Sequence, residues 1–183
     1  LAYSTFDHEW VKQQMKETSV EEVLEKNWPG LHIEPLQAPE NMEVLIGWTG
    51  SPASSPHLVS EVKRLKSDPI FYGEFLDQSN TCVENLIYAF KTNNIKGVQK
   101  MIRQNRSIIQ QMDKEATVDI ETKKLKLLCD IGERFGGAAK TSGAGGGDCG
   151  ITIIDNRVDK HSIYEVWEKE GIKPLKFKIY HGQ

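Results

Sequence analysis

No stretch of this chain stays apolar for the ~18 residues that a membrane-crossing helix needs, and no basic-then-apolar leader opens it. A membrane is therefore not an expected partner. Positive charge is not in surplus either: 23 Lys and Arg stand against 26 Asp and Glu, a formal net charge of −3. The cations are scattered, whereas a nucleic-acid surface gathers them on one face, so no nucleic acid is expected. Cysteine is scarce. The three thiols, Cys82, Cys129 and Cys149, are odd in number and far apart, which fits reduced cysteines in a cytoplasmic protein better than a disulfide framework. The five histidines, His8, His32, His57, His161 and His181, lack metal-ligand spacing, and neither H-E-x-x-H nor C-x-x-C occurs. They are expected on the surface, and no metal ligand is assigned. No Gly-x-Ser-x-Gly elbow is present, so hydrolase chemistry on an activated serine has no support.

Glycine, by contrast, is concentrated. In Lys140-Thr141-Ser142-Gly143-Ala144-Gly145-Gly146-Gly147-Asp148-Cys149-Gly150, five of eleven residues are glycine. Backbone without Cβ atoms lets N–H groups close on a charged oxygen, and so much chain entropy is rarely spent on a plain turn. The run lacks the Gly-Lys-Ser/Thr ending of a Walker A loop. Gly145, Gly147 and Gly150 fit G-x-G-x-x-G, but that fingerprint needs a helix next, and Ile151-Thr152-Ile153-Ile154 reads as a strand. A dinucleotide site is excluded. What remains is a phosphate-binding loop or a glycine-rich hairpin without a ligand.

The wording K-T-S-G-A-G-G-G-D-C resembles the third motif of the GHMP kinases, the superfamily of galactokinase, homoserine kinase, mevalonate kinase and phosphomevalonate kinase. Gly47-Trp48-Thr49-Gly50-Ser51-Pro52-Ala53-Ser54-Ser55 is similar to a stretch of the bacterial phosphomevalonate kinase subfamily, as is the Asp148-Cys149 ending. The resemblance runs from Leu1 to the end. It implies a ferredoxin-like C-terminal domain over 43–183, preceded over 1–42 by the tail of an N-terminal domain and a connecting segment. The superfamily's N-terminal lysine motif and its P-G-L-G-S-S-A-type loop are missing, and its catalytic aspartate would fall shortly before Leu1. The chain also opens on Leu rather than Met. It is read as the C-terminal part of a kinase that is inactive without the missing N-terminal domain.

The implied reaction moves the γ-phosphoryl group of ATP, carried with Mg²⁺, to 5-phosphomevalonate. Another GHMP kinase such as mevalonate kinase, or a non-catalytic small-molecule-binding module, is the alternative. No catalytic residue is assigned within the chain. Consecutive N–H groups from Ser142 through Gly143, Ala144, Gly145, Gly146 and Gly147 are assigned to the nucleotide phosphates, as a nest. Lys140 is either a mobile phosphate ligand or a solvated lysine. Asp148 either orients the loop through bonds to its own backbone or meets an acceptor hydroxyl. Thr49, Ser51 and Ser54 lie between a strand and a helix start, where they bind the acceptor phosphate or merely cap the helix.

At 183 residues the chain is long enough for one sizeable core and a smaller lobe. Leu1–Phe6 reads as the end of a strand, and Asp7–Lys16 as a short helix or a loop. Ser19, with Glu21 and Glu22, marks a helix start that Trp28-Pro29-Gly30 ends. A strand is expected over Glu43–Trp48. A helix should follow, with Ser55 as its cap and Pro56 at its first position. Stripes of helical period run through Phe75, Leu76, Ser79, Cys82, Val83, Leu86, Ile87 and Phe90, then through Val98 to Met112, then through Leu125 to Phe135. A strand over Gly150–Asp155, a helix over Asp159–Glu170 and a strand over Leu175–Tyr180 complete the reading. The fold class is α+β: an antiparallel sheet with helices packed on it, largely on one face.

Overall fold

The computed structural model describes residues 1–52, 55–143 and 145–177, with backbone alone at 55–57, 59 and 61. Two compact units divide the chain, Leu1–Gln37 and Ala38–Gln183. In the first, strand β1 (Ala2–Ser4) pairs antiparallel with β2 (His32–Glu34), a strand that the sequence did not announce. Between them lie helices α1 (His8–Glu17) and α2 (Val20–Leu24). The Asp7 carboxylate accepts the N–H groups of Glu9 and Trp10 at 2.9 and 3.0 Å, satisfying donors that a helix start leaves orphaned. Of the two readings of Asp7–Lys16 the helix holds, with Asp7 as its cap and His8 as its first residue. Ser19 caps α2 as expected.

The second unit is built on four strands: β3 (Met42–Trp48), β4 (Ala138–Thr141), β5 (Cys149–Asp155) and β6 (Lys173–Leu175). They pair in the order β4-β5-β3-β6, every neighbour antiparallel. Five helices accompany them: α3 (Ser55–Arg64), α4 (Pro69–Lys91), α5 (Ile95–Ala116), α6 (Lys123–Arg134) and α7 (Lys160–Lys169). Their starts follow local chemistry. Asp68, Asn94, Thr122 and Asp159 each accept a backbone N–H from the first turn of the helix that they precede.

Helices cover both faces of this sheet, not chiefly one. Consecutive strand residues point to opposite faces, and here both members of such pairs are buried. Ala138 and Ile153 pack with Val98 and Ile102 of α5 and Ala89 of α4. Their neighbours Ala139 and Ile154 pack with Leu128 and Cys129 of α6 and Ile163 and Trp167 of α7. A sheet apolar on both sides needs two covers, and the α4–α5 pair supplies the second. Trp167, fully buried, donates its indole N–H to the Leu128 carbonyl at 3.1 Å.

Three local expectations are revised. Leu76 and Val83 are exposed, so the inward stripe of α4 is narrower than its apolar sequence. Ser55 is the first helical residue of α3 rather than a cap preceding it, and Ser54 lies outside the described residues. The last strand is Lys173–Leu175, pinned against Ile46–Trp48 of β3; 178–180 lie outside the described residues. No described helix is long and apolar enough to cross a membrane.

Candidate functional site

The glycine run connects β4 to β5, closed at its base by Ser142 N–H donating to the Cys149 carbonyl at 2.9 Å. Topologically it is a hairpin loop, yet two segments distant in sequence hold it. Gly146 N–H donates to the Ile120 carbonyl at 2.7 Å, and Asp148 N–H donates to the Ser51 carbonyl at 2.6 Å. Thr49 returns the favour to the Asp148 carbonyl through its N–H at 2.8 Å and its hydroxyl at 2.9 Å. The two stretches singled out in the sequence, 47–55 and 140–150, therefore meet.

This pinning reshapes the expected nest. The N–H groups of Ser142 and Gly146 are engaged inside the protein, so the donors are not a continuous run. Those of Gly143, Gly145 and Gly147 meet no described acceptor; Ala144 lies outside the described residues. At Gly145, with φ +77°, a Cβ would stand 2.4 Å from Ile120 Cγ2 and 2.5 Å from its carbonyl oxygen. Only glycine lets these backbones approach so closely. A Cβ on Gly143 would meet nothing within 4 Å, so that side of the loop is open.

The polar side chains fall out differently. Thr49 is only 2% exposed with its hydroxyl engaged, which makes it an anchor of the loop rather than a free ligand. Ser51 is exposed. Ser54 lies outside the described residues. Asp148 does not bond its own backbone through its carboxylate. Its main chain, at φ +59°, does the anchoring, and among the described residues its exposed carboxylate meets the Cys149 thiol, at 3.7 Å. Lys140 is only partly solvated. As a β4 residue two beyond Ala138 it shares the face toward α4 and α5, half-buried, with Nζ donating to the Thr141 carbonyl at 2.8 Å. Burial lowers its pKa from the ordinary lysine value, and it forms no ion pair with a described residue.

Residues that the sequence reading missed complete the frame. Lys124, in the first turn of α6, has Nζ 4.0 Å from the position of a Gly50 Cβ, and it forms no ion pair with a described residue. The Ile120 N–H donates to Asp113 Oδ1 at 2.5 Å and the Glu121 N–H to Oδ2 at 2.9 Å. Glu121 in turn takes Arg106 Nε at 2.5 Å and Gln110 Nε2 at 2.6 Å. The Asp113 and Glu121 contacts leave no local sequence signal, because each joins residues 7 to 15 positions apart across a chain reversal. Among the described residues no group of three or more His, Cys, Asp or Glu stands ready to hold a metal ion.

Residues 86–173 match the family model of the GHMP kinases' C-terminal region. That stretch lies within the second unit, whose sheet has the ferredoxin-like order. Particular relatives narrow the likeness. The phosphomevalonate kinase of Streptomyces sp. (strain CL190) is 34% identical over 178 residues, 96% of this chain and 48% of that protein. The Streptococcus pneumoniae phosphomevalonate kinase, solved in complex with phosphomevalonate and AMPPNP, superposes with a TM-score of 0.79 at 27% identity, over 95% of this chain and 50% of that one. The Lin0012 protein of Listeria innocua superposes with a TM-score of 0.88 at 39% identity, over 98% of this chain and 52% of that one. The chain thus spans about half the length of the relatives that it matches.

Proposed function

We propose that this chain is the C-terminal part of an ATP-dependent phosphomevalonate kinase, which transfers the γ-phosphoryl group of ATP to the phosphate of 5-phosphomevalonate, giving ADP and 5-diphosphomevalonate. The observation that carries the reading is the union of the two sequence segments, with the N–H groups of Gly143, Gly145 and Gly147 meeting no acceptor among the described residues. The likeness to an enzyme solved with phosphomevalonate and AMPPNP supports it. Phosphoryl transfer asks for positioning and charge stabilisation rather than covalent work by the protein. In this reading the three N–H groups, the Ser142 hydroxyl and the Lys140 ammonium take phosphate oxygens of the nucleotide. Ala144 belongs to the same assignment. Ser51, Ser54, Asp148 and the Lys124 ammonium are assigned to the acceptor, while Thr49 holds the loop.

In this reading Mg²⁺ arrives on ATP, held by the nucleotide's phosphates. The catalytic base and the lysine motif belong to the N-terminal half of the longer protein, and the 183 residues alone do not turn over. The setting is the cytoplasmic mevalonate pathway of isoprenoid synthesis. In the complete polypeptide, Ser142→Ala and Lys140→Met should raise KM for ATP, while Ser51→Ala and Ser54→Ala should raise KM for 5-phosphomevalonate. Unchanged values for both substrates in all four variants would defeat the assignment.

A further inference from the structure

The glycine loop has two tethers, and the one through Ile120 leads into a partly buried charge cluster. Helix α5 ends at Ala116, and Thr117, at φ 53°, turns the chain back toward α6. One side chain closes this reversal: Asp113 accepts from both Ile120 and Glu121. Glu121 is then fixed by Arg106, itself 7% exposed, whose guanidinium also holds Asp130 at 2.8 Å and Glu133 at 3.1 Å on α6. The Arg106–Glu121 bond joins two buried charged side chains, and such bonds are strong and directional, whereas Asp130 and Glu133 are partly exposed. With its own N–H and the next one both held, the Ile120 peptide has its carbonyl aimed at Gly146.

We infer that Asp113 is a positioning residue for the glycine loop, acting through the Ile120 carbonyl and backed by the Arg106–Glu121 pair. This rests on the reading of that loop as the phosphate site. Preorganised donors are effective because they need no rearrangement as charge develops, and a misplacement of about 1 Å costs about a hundredfold in rate. Asp113→Asn keeps the side chain's shape but replaces one acceptor oxygen by a donor, so one of the two N–H groups loses its partner.

Amide hydrogen exchange on the chain reads this directly. Asp113→Asn should lower protection of the Gly146 amide by about tenfold or more, with the Ser142, Thr49 and mid-α5 amides unchanged. Glu121→Gln, which leaves Asp113 in place, should lower it in the same direction by less. Unchanged protection at Gly146 in both variants overturns the inference, as does an equal loss at every amide, which is global loosening. In the complete polypeptide Asp113→Asn should also weaken AMPPNP binding about tenfold with 5-phosphomevalonate binding unmoved. If the exchange changes and AMPPNP affinity does not, the positioning stands and the phosphate-site reading fails.

Discussion

Replacing Gly145 by alanine tests the loop architecture with one methyl group. The backbone at φ +77° lies in the left-handed region, which costs an L-residue about 1–2 kcal/mol. The added Cβ would sit 2.5 Å from the Ile120 carbonyl oxygen, which is backbone and cannot swing aside. Relief requires the loop to part from Ile120, forfeiting the Gly146 hydrogen bond at about 1 kcal/mol. Forced repacking adds about 1–3 kcal/mol. The sum is about 3–6 kcal/mol, a large share of a domain's stability. Gly143→Ala is the control: its φ of +67° carries the same backbone cost, but nothing lies within 4 Å of the new methyl. Urea unfolding of both variants should therefore separate them by at least about 2 kcal/mol. If Gly145→Ala proves as stable as Gly143→Ala, the close approach to Ile120 does not hold in solution and the pinned loop is wrong.

Other positions give independent checks. Gly132→Ala would put a Cβ 2.5 Å from Thr152 Oγ1 at the α6–sheet contact, and thermal unfolding should show a loss of about 1–3 kcal/mol. Trp167→Ala should cost about 3–5 kcal/mol in the same assay, from the cavity and the lost bond to Leu128. A thiol reagent at pH 8 should modify half-buried Cys149 first and leave Cys82 and Cys129 until unfolding. Burial hides both and pushes the Cys129 thiol up to about 12, so equal rates would contradict the packing. Arg157 and Asn41 hold the Asp155 carboxyl well below the usual carboxylate range. Its contribution to stability is thus present above the unfolded pKa of about 3.9 and is lost as pH falls below it. Asp155→Asn should flatten the acid limb of a stability–pH curve, and an unaltered limb would refute the pairing.

What was legible in the sequence was local. Asp159 and Ser19 sit at the helix starts that they announced, and β5 occupies the β-branched run before Asp155. Both motif segments were visible, although their meeting was not. Strand β4 was not legible, because Gly137-Ala138-Ala139 lacks every β-former. Small residues are required there because Gly137 and Gly132 both crowd Thr152, while Gln99 and Arg103 of α5 hydrogen-bond the adjoining backbone. Missing β4 concealed where Lys140 points, since strand register decides it. The two-sided cover was readable in hindsight from Ile151-Thr152-Ile153-Ile154, which does not alternate as a strand with one wet face does. The Asp113–Ile120 tether depends on a chain reversal at Thr117, where a non-glycine residue takes the left-handed conformation without a compositional mark.

ADP release by the complete polypeptide, measured with 5-phosphomevalonate, with mevalonate and without acceptor, tests the central claim most directly when this chain is run in parallel. The account predicts acceptor-dependent release with 5-phosphomevalonate alone, in the complete protein alone. Equal release with every acceptor, or robust turnover by these 183 residues, would contradict it.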